Sequence, residues 1–178
     1  MLMRKINAVT SLVTTLLLLT HAILNAVRML SFGSIAANVG YISWILVGFM
    51  ALHAFISIDL VISTYMETEN SGTKCKSYPK MNIPTVVQRV SGVLLVLFTV
   101  LHVAGAGGYM QPPLIVHAIL PPLFFALSLT HTAVSTSKAF ITLGIGDAKF
   151  IKTADIAIKV ICVVTLVADI VGFYLYSL

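Results

Sequence analysis

Apolar residues run along this chain in blocks, separated by short polar breaks. Five stretches, about 6–29, 40–65, 84–106, 113–137 and 154–176, are long enough to cross a bilayer. A helix needs about 20 apolar residues to span a hydrocarbon core of roughly 30 Å. Lipid offers no partner to a backbone group, so each block predicts a helix. The strands of a membrane barrel would alternate polar and apolar side chains, and no such alternation is present. The pattern predicts an all-α membrane protein, a five-helix bundle forming one domain over residues 1–178.

Composition supports this. A tenth of the residues are charged and the mean hydropathy is +1.01, far outside the soluble range. Arg4-Lys5 before a Leu-rich run resembles a signal peptide. The run is longer than a usual signal core, contains His21, and has no clear small-x-small cleavage site after it. If the helices alternate, Arg4, Lys5, Lys74, Lys76, Lys80, Arg89, Lys138, Lys149, Lys152 and Lys159 fall on one side, and only Arg28 on the other. The positive-inside rule then puts the N-terminus in the cytoplasm and the C-terminus outside. The net charge of +5 thus follows from topology, and no nucleic-acid-binding motif accompanies it.

Cys75 and Cys162 fall in a loop and in the fifth helix, so a disulfide is not expected. No zinc spacing or Ser/His/Asp set is present, and GAGG at 105–108 lacks the context of a phosphate loop. The polar run at 66–82 suits either a docking surface for other proteins or a solvated loop. GAGGYMQPP at 105–113 reads as a tight outer turn, and GIGDAK at 144–149 begins the inner connection to the fifth helix.

The chain also repeats itself. NAVTSLVTTLLLLTH (7–21) and QRVSGVLLVLFTVLH (88–102) share one plan: an amide residue first, small residues fourth and fifth, a histidine fifteenth. The second and fourth helices each carry one further histidine, His53 and His131. The two halves are expected to be parallel repeats about an axis along the membrane normal.

Histidines inside membrane helices are costly and mark functional sites by default. At 1.5 Å per residue, His21 and His102 lie roughly 22–27 Å from the inner edge, in the outer half. His53 and His131 fall in the inner half, making two depth-matched pairs. Paired imidazoles in a helical bundle suit a metal-centred cofactor. Two axial imidazoles suit haem iron and leave no position for oxygen. Bare zinc would need further cysteines or carboxylates. Hydrogen-bonded structural histidines are the alternative.

Ser11 and Gly92 lie ten residues before their histidines, near the level of the inner pair. They would let a flat macrocycle approach the backbone, or serve as small-residue helix contacts. Candidate partners for the acidic edge of an inner haem are Arg4, Arg89, Ser137 and Lys138, and Arg28 for an outer one. Arg28 also fits an ordinary helix-end cation. His117, one turn into the fourth helix before Pro121-Pro122, has no depth-matched partner. It reads as a propionate or quinone contact, or as an interfacial histidine. The two prolines should bend that helix.

The order Q-x-x-[ST]-G with a histidine ten residues after the glycine resembles the haem helices of the cytochrome b subunit of succinate:quinone oxidoreductases. The one-chain, five-helix, dihaem type of menaquinone-using succinate dehydrogenases and fumarate reductases is the nearest. QRVSGVLLVLFTVLH fits well; NAVTSLVTTLLLLTH departs, with Asn7 for glutamine and Ser11 for glycine. HAF at 53–55 and LTHTAVSTSKAFITLG, starting at Leu129, resemble the second and fourth helices of that family. The resemblance implies two haem b groups, an outer one on His21 and His102 and an inner one on His53 and His131, with Ser91 and Gly92 in the haem helix. It implies menaquinone or menaquinol as substrate, and flavoprotein and iron–sulfur partner subunits on the cytoplasmic side of a bacterial inner membrane. Dicarboxylate chemistry would belong to the flavoprotein. Leu129 stands where some relatives carry a proton-carrying glutamate, which puts such a path in doubt. Arg28, Tyr41, Trp44, His117 and Asp169 are candidates for an outer quinone pocket, and Asp169 equally for a structural acid. Two other functions stay open: a cytochrome b serving a hydrogenase, formate dehydrogenase or other flavin reductase, and a transporter relaying protons through its histidines. The resemblance leaves open the direction of turnover and whether the whole complex dimerises.

Overall fold

In a computed structural model, residues 2–34, 40–70, 83–106 and 114–177 are described. They form five helices: α1 (Leu2–Leu30), α2 (Gly40–Asn70), α3 (Ile83–Ala106), α4 (Leu114–Leu143) and α5 (Ala148–Ser177). No strand occurs among the described residues. All five helices are long and apolar enough to cross a membrane. Cys75, most of the polar run at 66–82, most of the turn at 105–113 and the side chain of His117 lie outside the described residues.

Four helix ends lie four or more residues beyond the hydropathy reading; α1 begins at Leu2 instead of 6 and α2 runs to Asn70 instead of 65. α4 continues past residue 137 to Leu143, and α5 begins at Ala148 instead of 154. Hydrocarbon thickness set the expected ends, whereas capping sets the observed ones. Gly144 takes a φ of +69°. Its N–H donates to the Ile141 carbonyl at 3.2 Å and the Ile145 N–H donates to Phe140 at 3.1 Å, the paired bonds of a Schellman stop. Asp147 then accepts the Phe150 N–H at 2.7 Å and caps α5. The whole α4–α5 connection is therefore residues 144–147. α1 ends in the same double-bonded way, but with Phe32 rather than glycine at φ +50°. Pro121 and Pro122 lie inside α4, which stays helical through both.

Contacts fix the directions. Ser57 of α2 donates to Asn7 of α1, and Ser43 bonds His21, so α1 and α2 are antiparallel. Lys138 reaches Gln88, and Phe124 stacks on His102, so α3 and α4 are antiparallel as well. Ser137 donates to Asp155, setting α5 antiparallel to α4. Gly172 lies against Met29 and Ala26, which makes α5 parallel to α1. The bundle thus runs up-down-up-down-up. Arg4, Lys138, Lys149 and Lys152 share one end, here called the basic end.

α1 and α4 are central. α1 packs against α2, α4 and α5, and α4 packs against α1, α3 and α5. α2 and α3 flank this core and do not close on each other in the same way. Lipid tails are as apolar as leucine, so helices in a membrane associate through close packing and polar pairs. The buried positions follow this rule. On α1 they are Ala8, Thr10, Ser11, Ala22 and Ala26. On α4 they include Ser128, Thr132, Ser135 and Thr136, and on α5 Thr165 and Asp169.

Candidate functional site

The repeat visible in the sequence is also a repeat of contacts. In the first half, the Thr10 hydroxyl donates to the Asn7 carbonyl at 3.0 Å. In the second, the Ser91 hydroxyl approaches the Gln88 carbonyl at 3.2 Å. The same opening residue of each motif then meets the histidine of the following helix. The His53 ring contacts the Asn7 backbone, and the His131 ring contacts the Gln88 backbone. The opening residue of each motif thus neighbours one histidine in each half.

The histidines approach one another across the halves. His53 lies in electrostatic range of His131 towards the basic end, and His21 of His102 towards the opposite end. Each is half-buried. Ser91 Oγ bonds His131 Nδ1 at 2.9 Å. That contact fixes the ring and leaves Nε2 as its free ligating atom. Gly92 provides the clearance, because a Cβ there would stand 3.1 Å from His131 Cε1. His53 keeps a buried Nδ1 with no hydrogen-bond partner. His102 lies flat on Phe124, with centroids 4.9 Å apart. Both nitrogens of His21 are engaged, Nε2 by the Asn25 amide at 2.9 Å and Nδ1 by Ser43 Oγ at 3.2 Å.

A cavity of about 180 Å³ opens beside His53 at the basic end. Arg4, Asn7, Ser11, Gln88 and Lys138 line it, so two cations and two amides share one space with an imidazole. Lys138 Nζ donates to Gln88 Oε1 at 2.6 Å and to Thr85 Oγ1 at 3.2 Å, tying α4 to α3. The remaining candidates take the following positions. Arg89 is exposed, with Lys138 its electrostatic neighbour. Ser137 turns towards α5 and donates to Asp155, which also pairs with Lys159 at 2.5 Å. Arg28 is exposed at the opposite end, and so are Tyr41 and Trp44 on α2. Asp169 does not join them at any surface: it is 1% exposed.

These residues fit a bis-imidazole macrocycle better than a bare ion. Among the described residues, no three His, Cys, Asp or Glu side chains converge as a metal ion alone would require. A macrocycle supplies its own equatorial nitrogens and asks the protein for two axial ones. The unpartnered His53 Nδ1, the Gly92 clearance and the cationic cavity agree with such a group. Pockets for whole small molecules span about 300–1,000 Å³, so the cavity corresponds to one charged edge. At His21, ligation through Nε2 requires the Asn25 amide to swing aside, with Ser43 retaining Nδ1.

Sequence reasoning missed Asn25, Ser43, Phe124 and the carbonyls of Asn7 and Gln88. Hydroxyls and amides at these places look like ordinary helix residues. Only the shared first position of the two motifs carried a signal. No family model, curated protein or solved structure matches this chain.

Proposed function

We propose that the chain is the dihaem cytochrome b membrane-anchor subunit of a succinate:quinone oxidoreductase or quinol:fumarate reductase. One observation supports the reading: four helices each place one histidine inside the bundle, with His53 in electrostatic range of His131 and His21 of His102. His53 and His131 would hold one haem b, and His21 and His102 the other. Ligated by two imidazoles, haem iron exchanges single electrons and leaves no position for oxygen.

The chain's own residues bind and orient. Ser91 holds the His131 ring through Nδ1 and presents Nε2. Arg4 and Lys138 offer positive charge to the acidic edge of the group at the basic end. That end would face the cytoplasm of a bacterium, where an iron–sulfur subunit and a flavoprotein dock and the dicarboxylate chemistry takes place. Menaquinone would react near the opposite end, where Trp44, Tyr41 and Arg28 are exposed.

The test is spectroscopic. Dithionite-reduced minus oxidised spectra of the purified protein should show b-type bands, with two haems per chain by pyridine haemochrome. His102→Ala should lose one haem and keep the other. A colourless protein would favour a transporter. Copurification with a nickel or molybdenum enzyme would favour a different respiratory partner.

A further inference from the structure

The repeat breaks at one place beside the histidines. His21 and His102 close the two matching motifs, yet four residues further on the first half has Asn25 and the second has Ala106. Residues four apart share one face of a helix. On α1 the Asn25 amide uses that face, with Nδ2 2.9 Å from His21 Nε2.

The direction of that bond follows from the donor. An amide nitrogen only donates, so Nε2 accepts through its ring lone pair. A neutral imidazole then carries its proton on Nδ1, which donates to Ser43 Oγ of α2 at 3.2 Å. Two bonds from two helices thus fix one tautomer and one ring orientation. That tautomer is the one an Nε2 ligand needs. The lone pair committed to Asn25 is also the one that ligation would use.

The other pair is set differently. Ser91 engages Nδ1 of His131 and leaves Nε2 clear. His53 has a buried Nδ1 without a hydrogen-bond partner. One pair is ready to ligate, and the other is ordered but covered.

Asn25 has the means to give way. Asn25, His21 and Ser43 are each half-buried. Rotation of Asn25 about χ1 to another staggered well lifts the amide off Nε2 without moving α1. Ser43 sits on a different helix and keeps its bond to Nδ1 throughout.

On the dihaem reading, we propose that Asn25 is a positioning residue: it presets His21 in its ligating tautomer and competes for Nε2, so that the His21–His102 pair fills after the His53–His131 pair. One hydrogen bond breaks and one coordinate bond forms. No proton or electron moves, because the imidazole proton already sits on Nδ1.

Hemin titration of the full chain, produced under haem limitation and held in detergent, tests this. Soret absorbance and the low-spin electron paramagnetic resonance signal follow the uptake. Wild type should bind in two steps, with His131→Ala removing the tighter step and His102→Ala the weaker. Asn25→Leu and Asn25→Ala should each strengthen the weaker step about fivefold, the factor that one hydrogen bond represents. The tighter step should stay where it is. Ser43→Ala removes the bond that is kept, and should weaken the weaker step further. Circular dichroism should report the same helix content in all variants. A weaker step that fails to strengthen in both Asn25 variants, or a tighter step lost in His102→Ala, would overturn the proposal and leave the dihaem reading standing. A wild type that binds no hemin would defeat both.

Discussion

At the residue scale the histidines are held, not merely present. His131 is bounded by a hydroxyl on one side and a glycine on the other. Removing the hydroxyl with Ser91→Ala deletes one buried hydrogen bond, worth about 1 kcal/mol. Adding bulk with Gly92→Val drives a side chain into the ring. Both variants should weaken the pair at the basic end and spare His21 and His102. On the dihaem reading proposed above, the expected readout is loss of one of two haem signals, larger for Gly92→Val, measured by absorbance per chain. The histidines, the two motifs and the basic side chains were legible in the sequence, because charge and imidazole stand out in an apolar helix. The Asn7 and Gln88 carbonyls were not, since a backbone atom leaves no trace in residue type. Ser137 misled for a related reason: its position beside Lys138 is visible in sequence, whereas the face it presents depends on where α5 packs.

At the element scale, the helix cores follow from hydropathy and the ends follow from local backbone chemistry. α4 and α5 both extend beyond their hydropathy limits because Gly144 and Asp147 set the stops. Asp147→Ala should cost about 1 kcal/mol by removing the cap of α5. Phe32 adopts a left-handed conformation that costs a side-chain-bearing residue roughly 1–2 kcal/mol. Phe32→Gly should therefore raise the stability of α1 in detergent. Gly172→Leu should do the reverse, by about 1–3 kcal/mol of overpacking against Met29. Thermal denaturation followed by circular dichroism checks the signs: the midpoint should rise for Phe32→Gly and fall for Asp147→Ala and Gly172→Leu.

At the scale of the whole molecule, the charge distribution predicts which end faces which compartment. In a background without Cys75 and Cys162, Lys149→Cys, at an exposed position, should react with an impermeant maleimide only from the cytoplasm, and Ser34→Cys only from outside. Labelling of intact cells against inverted vesicles decides it. The duplication was visible as a sequence repeat, but the packing that breaks its symmetry was not. α5 has no counterpart in either repeat and fastens α1 to α4 from behind. Those three helices hold together without any contribution from α2 meeting α3. Among the described residues, the flank where α2 and α3 fail to close is therefore a feature of the fold that the packing of α1, α4 and α5 leaves open.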